Sequence, residues 1–104
     1  KAIMLEGSKE LKVLSPQMGG FCRATSPDDE PFVSEGQIID VNQTLCLLES
    51  MKVFTELALV DYKSSDGDSL YTDKVKYKVT RVIAEDHNTV NQGDLLFVML
   101  PVNA

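Results

Sequence analysis

The sequence lacks the features that most often announce a function. No apolar run approaches the roughly 20 residues needed to cross a bilayer, and no charged-then-apolar leader opens the chain, so no membrane partner is expected. Positive charge is scarce: 10 Lys and Arg stand against 16 Asp and Glu, for a net charge of −6. The basic residues form no cluster that could track a phosphate backbone, which argues against nucleic acid. Cysteine is limited to Cys22 and Cys46, far apart and without C-x-x-C spacing, so neither zinc nor dithiol redox chemistry is indicated. Both read as reduced thiols acting as small hydrophobes, and nothing points to an oxidising compartment. His87 is the one histidine and falls at an expected exposed turn, and no triad pattern links it to Ser15 or Ser50. Asp61, Asp66, Asp68 and Asp73 miss the D-x-D-x-D-G spacing of a calcium loop. These absences exclude a catalytic centre and a metal site as the expected business of the chain.

What is present is ordinary for one compact domain spanning residues 1–104: 43% hydrophobic and 25% charged residues. A chain of this length buries about two-thirds of its unfolded surface, enough to fold without a staple. No segment sustains helical periodicity over three turns. Short apolar runs between turn formers instead predict strands at 2–6, 11–14, 20–23, 44–48, 53–60, 75–84 and 95–100. Alternation in VFTELALV (53–60) turns Thr55, Leu57 and Leu59 inward and Glu56 outward. The segment 33–48 aligns without gaps on 84–99, an offset of 51 residues (84 − 33), pairing Glu35-Gly36 with Asp86-His87 and Asn42 with Gly93. Asn and Gly both tolerate φ > 0, so the last pair is expected to keep a common turn chemistry. With short strands throughout, two similar halves imply an all-β sandwich with pseudo-twofold symmetry.

Between two adjacent β runs lie only Glu49, Ser50, Met51 and Lys52, a separation suited to an antiparallel hairpin with Lys52 at its tip. A lysine there is ordinarily a solvated charge. Met51 beside it is less ordinary, since a tip offers a methionine no core to fill.

Glu49-Ser50-Met51-Lys52-Val53 resembles the E-A-M-K-M signature of biotinyl carrier domains, with Ser for Ala and Val for the second Met. The likeness extends to SPQMGGFCRATSPDDEPFVSEGQ (15–37) and to YKVTRVIAEDHNTVNQGDLLFVML (77–100), so that it covers most of residues 12 to 100. It identifies the chain as similar to the biotinyl/lipoyl attachment family, and within it to carriers of acetyl-CoA carboxylase. The resemblance implies a flattened sandwich of two antiparallel sheets, the barrel-sandwich hybrid fold, and biotin joined covalently to Lys52 by a biotin protein ligase. Glu49, Ser50, Met51 and Val53 would be read by that ligase. It further implies a non-catalytic shuttle between a biotin carboxylase and a carboxyltransferase, in the cytoplasm or a plastid stroma. Biotin-dependent enzymes acting on pyruvate or propionyl-CoA share the signature. A lipoyl-type carrier would show D-K-A at the tip, where this chain has Met51-Lys52-Val53.

Two segments stand out against that pattern. ATSPDDEP (24–31), with two prolines and three consecutive acids, makes a poor strand and is expected to stand off the sandwich as a loop. In the carriers it resembles, the equivalent segment is a thumb near the biotin, which implies contact through Thr25, Ser26 and Pro27. Residues 61–75 look like an insertion of about a dozen residues whose Ser, Asp and Gly content indicates an exposed loop.

Overall fold

The computed structural model describes residues 2–4, 10–26, 28–62 and 76–102. Among these residues nine strands follow in order: β1 (Ala2–Met4), β2 (Leu11–Leu14), β3 (Gly19–Cys22), β4 (Ile38–Ile39), β5 (Cys46–Ser50), β6 (Val53–Leu57), β7 (Lys76–Val82), β8 (Thr89–Val90) and β9 (Leu95–Val102). They form two antiparallel sheets, ordered β1-β2-β9-β7-β4 and β6-β5-β3-β8. The expected all-β sandwich is what the chain adopts, and extents of 36 × 29 × 22 Å match the flattened shape.

Strand formation follows the apolar pattern. Leu11 and Val13 in β2 and Tyr77 and Val79 in β7 point inward while their neighbours stay at least partly exposed, the period of two that defines a half-buried strand. Strands β5 and β9 carry continuous buried runs, Cys46–Leu48 and Leu96–Met99. Phe21 of one sheet meets Phe97 of the other at 5.7 Å between centroids, an aromatic contact that joins the two layers at the centre of the core.

The pseudo-twofold is written in the hydrogen bonds. Gly36 N donates to Val79 O at 2.7 Å, and His87 N to Phe21 O at 2.7 Å. Val79 N donates to Gln37 O and Phe21 N to Asn88 O, both at 2.8 Å. The Glu35 carboxylate accepts Val82 N at 3.0 Å, and its mate, the Asp86 carboxylate, accepts Arg23 N at 2.9 Å. Strands β3, β4, β5 and β6 thus correspond to β7, β8, β9 and β2.

Three expectations need correction. The run 53–60 is not one strand: β6 stops at Leu57, and Leu59–Asp61 forms a 3-10 turn whose start is held by the Asp61 carboxylate accepting Ala58 N at 3.1 Å. The inward and outward register within β6 is as expected, with Leu57 buried and Glu56 exposed. Asn42 does not share the left-handed conformation of Gly93 (φ 90); its N–H is held instead by the Asp40 carboxylate at 2.8 Å, an Asx turn that needs no positive φ. Strand β5 also begins two residues later than expected and runs to Ser50, which shortens the connection to β6 to two residues. Of the expected 61–75 loop, residues 63–75 lie outside the described residues, and with them Asp66, Asp68 and Asp73.

Candidate functional site: a lysine in a two-residue hairpin turn

Strands β5 and β6 pair without a break from Cys46↔Leu57 to Ser50↔Val53, leaving Met51 and Lys52 as the whole connection. The two-residue loops that match strand twist are the primed turns, and the type I′ turn puts both central residues at φ > 0, which is why Asn-Gly usually fills it. Here φ is 51° at Met51 and 67° at Lys52. Left-handed backbone costs a residue with a side chain about 1–2 kcal/mol, so the chain holds two unfavourable residues at its apex. The result is an exposed lysine at the tip of an unbroken hairpin.

All five residues expected at the modification signature come together there. Glu49, Ser50, Met51, Lys52 and Val53 are exposed. Met51 is 94% exposed, and Val53 and the adjoining Phe54 are more than half exposed. Among the described residues, three of the five exposed large hydrophobics flank Lys52, a concentration that isolated surface apolars do not show.

The segment 24–31 carries no strand, and Thr25 and Ser26 are exposed; Pro27 lies outside the described residues. Arg23 ties off the root of this loop: its carbonyl accepts Phe32 N at 2.7 Å and its guanidinium donates to Val33 O at 2.9 Å. Two depressions meet the loop on either side of Phe54. One, of about 220 Å³, lies among Cys22, Thr25, Ser26, Glu49, Phe54, Asp86 and His87. The other, of about 710 Å³, is an open, mainly apolar groove lined by Thr25, Phe32, Leu47, Phe54, Thr55 and Glu56. The loop and the lysine hairpin therefore border the same cleft, through Thr25 and Ser26 on one side and Glu49 and Phe54 on the other.

Phe54, Asp86 and His87 were not singled out for the site by the sequence pattern. His87 is exposed, as expected of a turn residue, yet it sits at φ 70 and places Nε2 3.4 Å from the Asp86 carboxylate. The offset-51 alignment held the signal, since it sets His87 opposite a glycine. The two thiols are free. Burial pushes Cys46 up to about 12, and burial, then the carboxylates of Asp86 and Glu49, raise Cys22. Both stay protonated and unreactive near neutral pH. Among the described residues no group of His, Cys, Asp or Glu could hold a metal ion.

The family model described as "Biotin-requiring enzyme" matches residues 11–75. The chain belongs to this family. It is 32% identical over 86% of its length to the biotin carboxyl carrier protein of acetyl-CoA carboxylase 1, chloroplastic, of Arabidopsis thaliana, and spans 27% of that protein. Over 54% of its length it is 37% identical to the biotin carboxyl carrier protein of acetyl-CoA carboxylase from Cyanidium caldarium, spanning 38% of it. The chain thus spans less than half the length of these relatives. Among solved structures, a single-chain, multi-domain long-chain acyl-CoA carboxylase shares the fold over 96% of this chain and 8% of its own, with a TM-score of 0.62 at 21% identity.

Proposed function

We propose that this chain is a biotin carboxyl carrier domain serving an acetyl-CoA carboxylase, with biotin in amide linkage to Lys52. The observation that carries this reading is the Glu49-Ser50-Met51-Lys52 sequence placed in an unbroken hairpin whose two turn residues are bent left-handed to expose the lysine. Amide formation removes the ammonium charge and leaves a flexible four-carbon stem, the property a swinging tether needs. Met51 and Val53 give a biotin protein ligase an apolar handle on either side of the amine. The 220 Å³ cleft fits the group: Thr25 and Ser26 offer hydroxyls to a polar ring edge and Phe54 an aromatic wall to its apolar body. Bound biotin supplies a ureido nitrogen that takes up and releases a carboxyl group. The chain's own residues tether, seat and present it, with no catalytic side chain among them.

In this reading residues 1–104 act as one carrier domain that visits a biotin carboxylase and then a carboxyltransferase, in the cytoplasm or a plastid stroma. Likeness to carriers of acetyl-CoA carboxylase, together with the loop 24–31, favours acetyl-CoA as final acceptor over pyruvate or propionyl-CoA. Reconstitution tests it: the ligase-treated chain is supplied with biotin carboxylase, ATP, labelled bicarbonate and carboxyltransferases of the three acceptor classes. Label should reach acetyl-CoA. Transfer only to pyruvate or propionyl-CoA would overturn the acceptor, and lipoylation of Lys52 in place of biotinylation would overturn the carrier class.

A further inference from the structure

We propose that the turn Glu85–Asn88, supplied by the opposite half of the molecule, is a working wall of the cleft that seats the ring end of the prosthetic group. In this wall His87 makes contact and Asp86 acts as a positioning residue. The inference rests on the carrier reading above and adds to it an element outside both the hairpin and the loop.

The backbone gives the first reason. His87 has φ 70, while its pseudo-twofold mate Gly36 has φ 90 in a turn of the same hydrogen-bonding pattern. Glycine satisfies that turn without strain. A residue with a side chain takes the left-handed region only a few per cent of the time, histidine more readily than most, so the position prompts the question of what the imidazole does there. The second reason is location. His87 borders the cleft with Cys22, Thr25, Ser26, Glu49 and Phe54. The other half has no loop equivalent to 24–31, and there the mate is a glycine with nothing within 4 Å of the place a Cβ would take. Side chain and loop therefore occur together in one half and are missing together in the other. The third reason is mechanical: Asp86 Oδ1 accepts Arg23 N at 2.9 Å, and Arg23 closes the loop through Phe32 N and Val33 O. The turn that carries His87 thus also fixes the root of the loop that carries Thr25 and Ser26.

The chemistry suits a cyclic urea. Such a ring presents N–H donors and a carbonyl acceptor on one edge and an apolar body behind. The cleft offers acceptors at Glu49 and Asp86, hydroxyls at Thr25 and Ser26, an imidazole able to donate or accept, and the face of Phe54.

The test compares the full chain before and after treatment with biotin and a biotin ligase, by nuclear magnetic resonance and amide hydrogen exchange, with intact mass reporting modification. On modification, the His87 imidazole and the Thr25 and Ser26 amides should shift together. His87→Gly should be modified fully and keep or raise the denaturation midpoint, because glycine suits the turn. Its modification-induced shifts at Thr25 and Ser26 should be about threefold smaller. His87→Asn, which tolerates the same φ, should behave alike. Asp86→Ala should speed exchange of the loop amides about threefold or more. Asp86→Asn, whose amide oxygen can still accept Arg23 N, should restore them. An unshifted His87 in the modified wild type, or full loop shifts in His87→Gly, overturns the proposal while leaving the carrier reading standing. A wild type that gains no mass strikes the carrier reading itself and removes the proposal with it.

Discussion

Among the described residues, Met51 and Lys52 are two of the three non-glycine residues with positive φ, and Met51 is also the most exposed of the large hydrophobics. The lysine was legible in the sequence because its neighbours match a signature and because two β runs leave room for a hairpin. The strain was not, since nothing in Met-Lys resembles the Asn-Gly of a primed turn, and the loop shortens to two residues only once β5 is seen to reach Ser50. This changes what substitution at the tip should do. An exposed residue normally contributes within about 0.5 kcal/mol, and Lys52→Arg, which keeps the φ preference, should stay inside that range. The double change Met51→Asn with Lys52→Gly should instead stabilise the chain by about 1–3 kcal/mol in urea melts while abolishing modification. A midpoint equal to wild type would show that the turn stores no strain. The same reasoning covers Asn42, which was expected to mirror Gly93 and does not, because Asp40 gives its N–H a partner.

The strands were the most legible elements, since alternation and turn residues mark them directly, and the register of β6 shows the pattern working at single-residue resolution. Leu57→Ala should cost about 2–5 kcal/mol, the range for emptying a buried leucine site, whereas Glu56→Ala should leave the urea midpoint near wild type. The reverse result would place β6 one residue out of register. Residues Leu59–Asp61 escaped the sequence reading because Leu59 continues the apolar alternation of the strand, and only the Asp61 carboxylate on Ala58 N reveals the bend. The loop 24–31 was legible as a break, but its anchoring was not: Arg23 and Asp86 are 63 residues apart. Replacing 24–31 by a short Gly-Ser linker should leave ligase modification of Lys52 intact and impair carboxyl transfer. Full transfer in that variant would remove any role for the loop in the carrier cycle.

At the scale of the whole molecule, a 51-residue repeat becomes two interlocked halves, with Glu35 and Asp86 performing the same backbone clasp on opposite sides. The core so formed carries a pH signature. Burial raises Cys46 to about 12 and also raises Cys22 and Tyr77. Such groups hold their protons more tightly folded than unfolded, so their contribution is complete below pH 9 and is lost as pH climbs toward 12. Stability in urea should therefore be level from pH 7 to about 9 and fall above it; a flat profile to pH 11 would mean that these groups titrate as in the unfolded chain. Every role proposed for this chain depends on Lys52 as the attachment point. Intact mass after treatment with biotin, ATP and a biotin ligase addresses it directly: wild type should gain the mass of one biotin less water, and Lys52→Arg, folded as wild type, should gain nothing. A biotin-sized gain in Lys52→Arg, or none in wild type, would contradict it.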